Sequence, residues 1–323
     1  MISDEIISNN LNNTLTETNF LELGQKYQGK VRDNYIQKDF IIMIATDRQS
    51  AFDRILASVP FKGAVLSMTS AFWFENTKDI IKNHMTAMPD PNVMVCKKLK
   101  VFPVEVVVRG YLTGVTSTAV WTAYEKGERL FCGNKLPDGM KKNQEFKNPI
   151  LTPTTKSDLH DEKISSEELV NRKLMTKEQW DFVSQKAILL FKRGQEIAGK
   201  NGLILVDTKY EFGYDNSGEI FLIDEIHTPD SSRFWIKKTY VERFAKGIEP
   251  ENIDKEFLRL WFKDNCDPYN DKVLPGAPKE LVVELSKKYI MLYEMITGNT
   301  FNTPDATDIL KRIENNLKKK GYL

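Results

Sequence analysis

The chain has little of the chemistry that most readily announces itself in a sequence. Three cysteines, Cys96, Cys132 and Cys266, and three histidines, His84, His160 and His227, are scattered over 323 residues. The cysteines are odd in number and far apart, which fits unpaired thiols in a reducing compartment better than a disulfide framework. No histidine stands at zinc spacing from a cysteine, so a structural zinc site is not expected. No apolar run approaches the ~20 residues that cross a bilayer. The opening MISDEIISNNLNNTLTETNF is polar and acidic, unlike a secretory leader. An excess of either charge is missing as well: 46 Lys and Arg face 45 Asp and Glu. No global field then draws the protein to nucleic acid or a membrane surface. The expectation is a cytoplasmic globular protein with neither of those partners, in which a small anionic substrate needs a local basic site.

What is present is an ordinary globular mixture, 41% hydrophobic and 28% charged, long enough for two domains with their own cores. Asp39–Ala45 (DFIIMIA) and Asn92–Lys97 (NVMVCK) read as short strands, and Ala64–His84 between them has helical length and spacing. Pro103–Gly110 (PVEVVVRG) starts a new strand after a charged connector, which places a boundary near residue 102: a β-rich lobe over 1–102 and a larger α+β domain over 103–323. Gly133–Ile164 has no period of 2 or 3.6, and a long irregular segment in a compact enzyme points to function. Ser166–Lys200 reads as helix behind a SEEL cap, Gly202–Phe212 and Glu219–Ile226 as strands, and the tail from Asp254 as helices broken by NDKVLPGAP.

Two stretches carry chemistry. Gly24–Asp33, GQKYQGKVRD, has the glycine and lysine of a phosphate-binding P-loop, but Val31 stands where the magnesium-binding hydroxyl belongs. It is either a nucleotide loop whose metal ligands lie elsewhere or a polar turn with two glycines. In LILVDTKYEFGYDNSGEIFLIDEIHTPDSSRFW, the two-residue strand period puts Asp207, Lys209 and Glu211 on one face. A tight turn across Asn216 and Ser217 pairs 214 with 219 and therefore sets Asp224 opposite Lys209, diagonal to Glu211. Diagonal neighbours are roughly 7–8 Å apart at Cα, close enough for two carboxylates to share a cation. An all-oxygen pair suits magnesium; a surface salt bridge is the alternative.

GKVRDNY, TDRQSAFDR, PVEVVVRGYLTG, LTPTTKSDLHDEKIS, LILVDTKYEFG and LIDEIHTPDSSRFW, in this order from about residue 20 to 240, resemble the SAICAR synthetase family of purine biosynthesis in its longer form. The resemblance implies an ATP-dependent ligase that joins L-aspartate to the carboxylate of carboxyaminoimidazole ribonucleotide, with a monomer expected and a dimer the alternative. It implies an α+β fold similar to the ATP-grasp and protein-kinase nucleotide clamps, with ATP between the two lobes. By the same resemblance, Gly29, Lys30, Val31 and Arg32 bind ATP phosphates, and Lys97, Lys98 and Leu99 form the hinge at adenine. Glu211 and Asp224 hold Mg²⁺ beside Lys209. Arg109 and Arg233, with Asp230, Ser231 and Ser232, take the ribonucleotide and its phosphate. Asp47, Ser50, Asp53, Lys156, His160 and Asp161 line the imidazole and aspartate region.

One departure stands out. Short bacterial forms often follow the arginine with Gly-Ser, whereas this chain has Gly114-Val115-Thr116-Ser117, so the phosphate hydroxyl comes from Thr116 or Ser117 or is absent. The rivals are a kinase that stops at phosphoryl transfer and a nucleotide-binding regulatory protein of the same fold. The lack of H-R-D-x-x-x-x-N and D-F-G speaks against a protein kinase, and intact Lys209, Glu211 and Asp224 speak against a regulator.

Overall fold

The computed structural model describes residues 2–52, 54–115, 119–156, 162–253 and 256–323. In chain order the elements are α1 (Asp4–Asn9), β1 (Gln25–Gln28), β2 (Arg32–Ile36), β3 (Phe40–Ala45), β4 (Arg48–Ala51), β5 (Arg54–Ser58), α2 (Lys62–Thr77), β6 (Met85–Asp90), β7 (Val93–Lys97) and β8 (Lys100–Leu112). There follow α3 (Val120–Glu125), β9 (Leu130–Phe131), β10 (Asn134–Lys135), β11 (Gln144–Leu151), β12 (Thr154–Thr155), α4 (Ser166–Asn171), α5 (Lys177–Lys200), β13 (Leu203–Tyr214), β14 (Ile220–Ile223) and β15 (Ser232–Ile236). Four helices complete the chain: α6 (Lys237–Ala245), α7 (Glu256–Asn265), α8 (Lys279–Thr297) and α9 (Ile309–Lys319). The fold is mixed α+β.

The chain divides into two compact units, one of residues 1–72, 84–98 and 253–323, the other of 73–83 and 99–252. Residues 253–323 group with the N-terminal segments. The reason is apolar burial. Phe52, Leu56, Val59, Phe61 and Val65 share one core with Leu258, Phe262, Val282, Leu285 and Tyr289 of α7 and α8. In the same unit, Ile313 and Leu317 of α9 pack with Leu15 and with Tyr35, Ile42, Ile44, Val93 and Val95 of the five-stranded sheet β1-β2-β3-β7-β6.

The second unit is built on the antiparallel sheet β11-β8-β13-β14, with β12 on β8 and β15 on β13. α5 packs on β13. Its capping box, Thr176 with Gln179, ties down the first-turn amides. Its buried stripe, Trp180, Val183, Ala187, Leu190, Phe191, Gly194 and Ala198, recurs every three or four residues. Gly194 is required there: a Cβ would come within 2.5 Å of His227 Cε1 and 2.6 Å of Leu205 Cδ2.

Four sequence expectations change. The helix expected over 64–84 ends at Thr77. The segment 133–164 contains β11, whose pairing with β8 is tertiary and invisible to periodicity. The helix expected over 166–200 is two, α4 and α5. Finally, the β13–β14 hairpin is one residue out of the expected register: Tyr214 pairs with Ile220 and Glu211 with Ile223. The cause is the turn. Asp215 Oδ1 accepts from Ser217 N (2.9 Å) and Glu219 N (3.1 Å), and Gly218 takes a positive φ, which makes a five-residue loop of 215–219.

Candidate active site

A one-residue register slip ordinarily turns every side chain to the other face, yet Asp224 still reaches Lys209. β14 ends at Ile223, and Asp224 follows it at φ 66°, in the left-handed region. That turn of the backbone brings its Oδ2 to 3.8 Å from Lys209 Nζ. A non-glycine residue held there is strained, and such strain collects at functional sites. The β13–β14 pairing stops at Glu211 and Ile223, so Asp224 is not the cross-strand partner of Lys209; on its β8 side Lys209 pairs with Val107.

The expected sorting of charge on β13 holds, and the neighbouring strands enlarge it. Glu211 pairs with Glu105 of β8, and Asp207 pairs with Arg109 of β8 and Arg233 of β15. At one end, Lys209 Nζ donates to Glu211 Oε1 at 2.6 Å and Glu105 Oε1 at 2.9 Å. Lys156 Nζ holds the other Glu211 oxygen. Glu211 is buried while the Lys156 side chain is 46% exposed, so it is the lysine that has room to move. Burial lowers the proton affinity of the Lys209 ammonium, but Glu211, Asp224 and Glu105 together reverse this and raise its pKa well above the ordinary value. Lys209 is therefore a fixed cation.

At the other end, Asp207 Oδ2 lies 3.7 Å from Arg109 Nη1 and 3.4 Å from Arg233 Nη1. Arg109 Nε donates to Thr152 Oγ1 at 2.9 Å. Burial lowers the Arg109 pKa, Asp207 opposing and Arg233 reinforcing the effect, but a guanidinium stays charged throughout. The turn before β15 is braced from within: Thr228 Oγ1 accepts from Asp230 N (3.3 Å) and Ser231 N (3.2 Å), and Ser232 Oγ meets Thr208 Oγ1 at 2.7 Å. Ser231 O accepts from Lys209 N at 3.0 Å, joining this turn to the charged strand.

In the first unit, GKVRD is the turn of a β-hairpin, Gly29 N donating to Arg32 O at 2.8 Å. No helix follows it, which removes the strand-loop-helix geometry of a P-loop. Lys30 is exposed and Arg32 buried. Lys97 and Lys98 are exposed at the end of β7, their amides donating to His84 O and Asp39 O, with Leu99 next in the chain. Asp47 is 2% exposed, and its carboxylate accepts from Leu15 N (2.7 Å) and Gly63 N (2.9 Å). Burial raises its pKa to about 6, with those amides opposing. It holds the start of α2, a structural duty. Ser50 is half-buried on β4. Asp53, Thr116, Ser117, His160 and Asp161 lie outside the described residues.

Among the described residues no three His, Cys, Asp or Glu converge as a complete metal site. Glu211 and Asp224 supply two carboxylates, which is what magnesium takes when phosphate and water oxygens fill the rest of its octahedron. The pair fits that ion and fits nothing that needs a full protein cage.

Sequence reasoning left Glu105 and Asp207 out of the candidate site. Both had a signal. In VEVVVRG the two-residue period puts Glu105 and Arg109 on one face, and the same period had put Asp207 beside Lys209.

These features define an α+β protein with a charge-sorted platform on one central strand. A model of the SAICAR synthetase family matches residues 25–275. A phosphoribosylaminoimidazole-succinocarboxamide synthase of Legionella pneumophila (strain Paris) is 60% identical over 287 residues, 89% of this chain and 92% of that protein. A chloroplastic synthase of the same name from Arabidopsis thaliana is 56% identical over 318 residues, 97% of this chain and 77% of that one. Among solved structures, the SAICAR synthase of Saccharomyces cerevisiae complexed with SAICAR aligns at a TM-score of 0.78 and 34% identity, covering 89% of this chain and 99% of that one. A type 2 SAICAR synthetase in complex with ADP aligns at 0.65 and 27%, covering 86% and 100%. The chain belongs to the SAICAR synthetase family.

Proposed function

We infer that the protein is the ATP-dependent ligase of this family, joining L-aspartate to the carboxylate of carboxyaminoimidazole ribonucleotide to give SAICAR, ADP and phosphate. The observation that carries the reading is the sheet face centred on β13, where an arginine pair from the flanking strands β8 and β15 meets one end of the strand and a lysine set among three carboxylates occupies the other. A carboxylate is a poor electrophile. Phosphorylation by ATP makes it an acyl phosphate; the aspartate amine then attacks the acyl carbon, the C–O bond to phosphate breaks, and the amine proton leaves.

Positioning and charge neutralisation suffice for this chemistry, so no protein nucleophile is needed. Arg109 and Arg233 are assigned to the ribonucleotide phosphate, because a guanidinium fork bonds two phosphate oxygens at once. Lys209 offsets charge on the transferring phosphoryl group, and Lys30 with Arg32 neutralises the ATP phosphates. Glu211 and Asp224 are the residues that would hold Mg²⁺, which would supply positive charge to offset the phosphates. Lys156, next to Glu211, and Ser50 are assigned to the substrates, as are Asp230, Ser231 and Ser232; Lys97–Leu99 is assigned to adenine.

A monomer without nucleic-acid partners accompanies this reading, and light scattering reads that state. No helix among the described residues is long and apolar enough to cross a membrane. A phosphate-release assay decides the function. A ligase releases phosphate and forms SAICAR only with all three substrates; a kinase forms ADP without amide; a regulator binds ATP without turnover.

A further inference from the structure

We propose that Arg48, buried within the first unit, is a positioning residue for the glycine hairpin and sets the direction in which its amides face. The inference rests on the assignment of that hairpin to the ATP phosphates. Arg48 is 3% exposed and touches no open surface. Its guanidinium donates Nε to Lys30 O (3.0 Å) and Nη2 to Gly29 O (2.9 Å), two successive carbonyls of the turn. Nη2 also meets Asp33 Oδ1 at 2.8 Å, and Nη1 donates to Thr16 O at 2.5 Å. Asp33 Oδ2 in turn accepts from Thr18 N (2.7 Å) and Thr18 Oγ1 (3.0 Å) and lies 3.5 Å from Lys26 Nζ. The next carbonyl, Val31 O, is held by Thr46 N (2.9 Å) and Thr46 Oγ1 (2.8 Å).

Peptide geometry converts these contacts into an orientation. In a planar trans peptide the C=O and the following N–H point in opposite directions, and the described chain has no cis peptide. Turning the carbonyls of Gly29 and Lys30 onto Arg48 therefore turns the amides of Lys30 and Val31 away from it. Successive amides on one side of a turn are the geometry that receives anions. A buried ion pair is a weak source of stability, since desolvation offsets the attraction and an apolar pair of similar size serves as well. What Arg48 supplies that an apolar residue cannot is the fixed aim of two carbonyls. Lysine has one nitrogen where arginine has three, and cannot hold both carbonyls and Asp33.

The test compares Arg48→Lys, Arg48→Met and Lys30→Ala with the unmodified enzyme, each confirmed folded by circular dichroism, with every substrate varied separately and ADP binding measured by calorimetry. Arg48→Lys is expected to raise the KM for ATP and the Kd for ADP about tenfold, the scale of a lost charge-assisted hydrogen bond. The KM values for ribonucleotide and aspartate should stay within about twofold, a split that general loosening does not produce. A lower Tm with unchanged ATP dependence, or a parallel rise of all three KM values, overturns the proposal. Should the Arg48 variants not fold, Asp33→Asn removes the ion-pair partner at constant size, and the same selective loss for ATP is required of it. If Lys30→Ala leaves ATP dependence unchanged, the hairpin assignment itself fails. If Lys30→Ala raises it and Arg48→Lys does not, only the role of Arg48 fails.

Discussion

The two ends of the charged face of β13 differ in sign. Around Asp207, two arginines face one carboxylate, an excess of one positive charge. Around Lys209, two lysines face Glu105, Glu211 and Asp224, an excess of one negative charge among the described residues. Asp207 and Glu211 are four residues apart, about 13 Å along an extended strand. One sheet face thus offers an anion a place at one end and a cation a place at the other. The lesson concerns division of labour: guanidiniums bind by a fixed fork, whereas the lysine and carboxylate cluster can exchange internal ion pairs for an external cation and its phosphates.

The largest effect is expected at the negative end. Glu211→Gln or Asp224→Asn should lower kcat roughly 10²- to 10³-fold with the fold intact, the scale of losing one electrostatic contact in a closed site. Mn²⁺ binding followed by electron paramagnetic resonance should weaken in parallel, a readout independent of turnover. Near-normal activity at limiting magnesium would sink the metal assignment and, with it, the contrast between the ends.

At the positive end the loss should fall on binding. Arg109→Ala and Arg233→Ala should each reduce kcat/KM for the ribonucleotide roughly tenfold to a hundredfold, from about 1.5–3 kcal/mol per charge-assisted contact. Arg→Lys should recover part of this, retaining charge without the fork. Separate variation of the three substrates decides the matter: a loss on ATP or aspartate with normal ribonucleotide dependence removes the arginines from the phosphate.

Glu105→Gln sharpens the comparison by bringing the negative end to neutrality with almost no change in shape. A decrease of about tenfold in kcat is expected, together with a higher magnesium requirement. An unchanged magnesium titration would reduce Glu105 to an ion-pair partner of Lys209.

The reverse face of the same strand supplies an effect on stability alone, with none expected on turnover. His227 is fully buried, its Nε2 2.5 Å from Tyr210 OH, and desolvation pushes its pKa down to about 3. The unfolded chain therefore binds the proton more readily. Stability from this site is complete above pH 6.5 and is lost as pH falls from 6.5 toward 3, by about 2 kcal/mol at pH 5. Asp47, raised to about 6, acts in the opposite sense, stability falling as pH rises from 3.8 to 6. The difference between the unmodified protein and His227→Gln isolates the histidine. Urea midpoints at pH 7 and pH 5 should converge by about that amount, and parallel pH profiles would show that His227 does not titrate on unfolding.

Local pattern accounts for much of what is seen. The alternation in LILVDTKYEFG placed Asp207, Lys209 and Glu211 together because strand period is a property of the backbone, independent of the partner strand. The stripe and caps of α5 were readable for the same reason. The hairpin register was not, because an aspartate side chain bonded to two amides adds a residue to the turn. Asp224 was placed at the site by a wrong register and arrives there through its own left-handed backbone.

By itself the sequence determined the charge-sorted strand, the mixed fold and the family. Tertiary structure alone decided that Glu105 joins Glu211, that one buried guanidinium orders the glycine hairpin, and that the C-terminal helices pack with the N-terminal unit. The physical reason is range. Periodicity and caps are set within a few residues, whereas cross-strand pairing, buried ion pairs and shared apolar cores bring together segments tens to hundreds of residues apart and exist only once the chain has closed on itself.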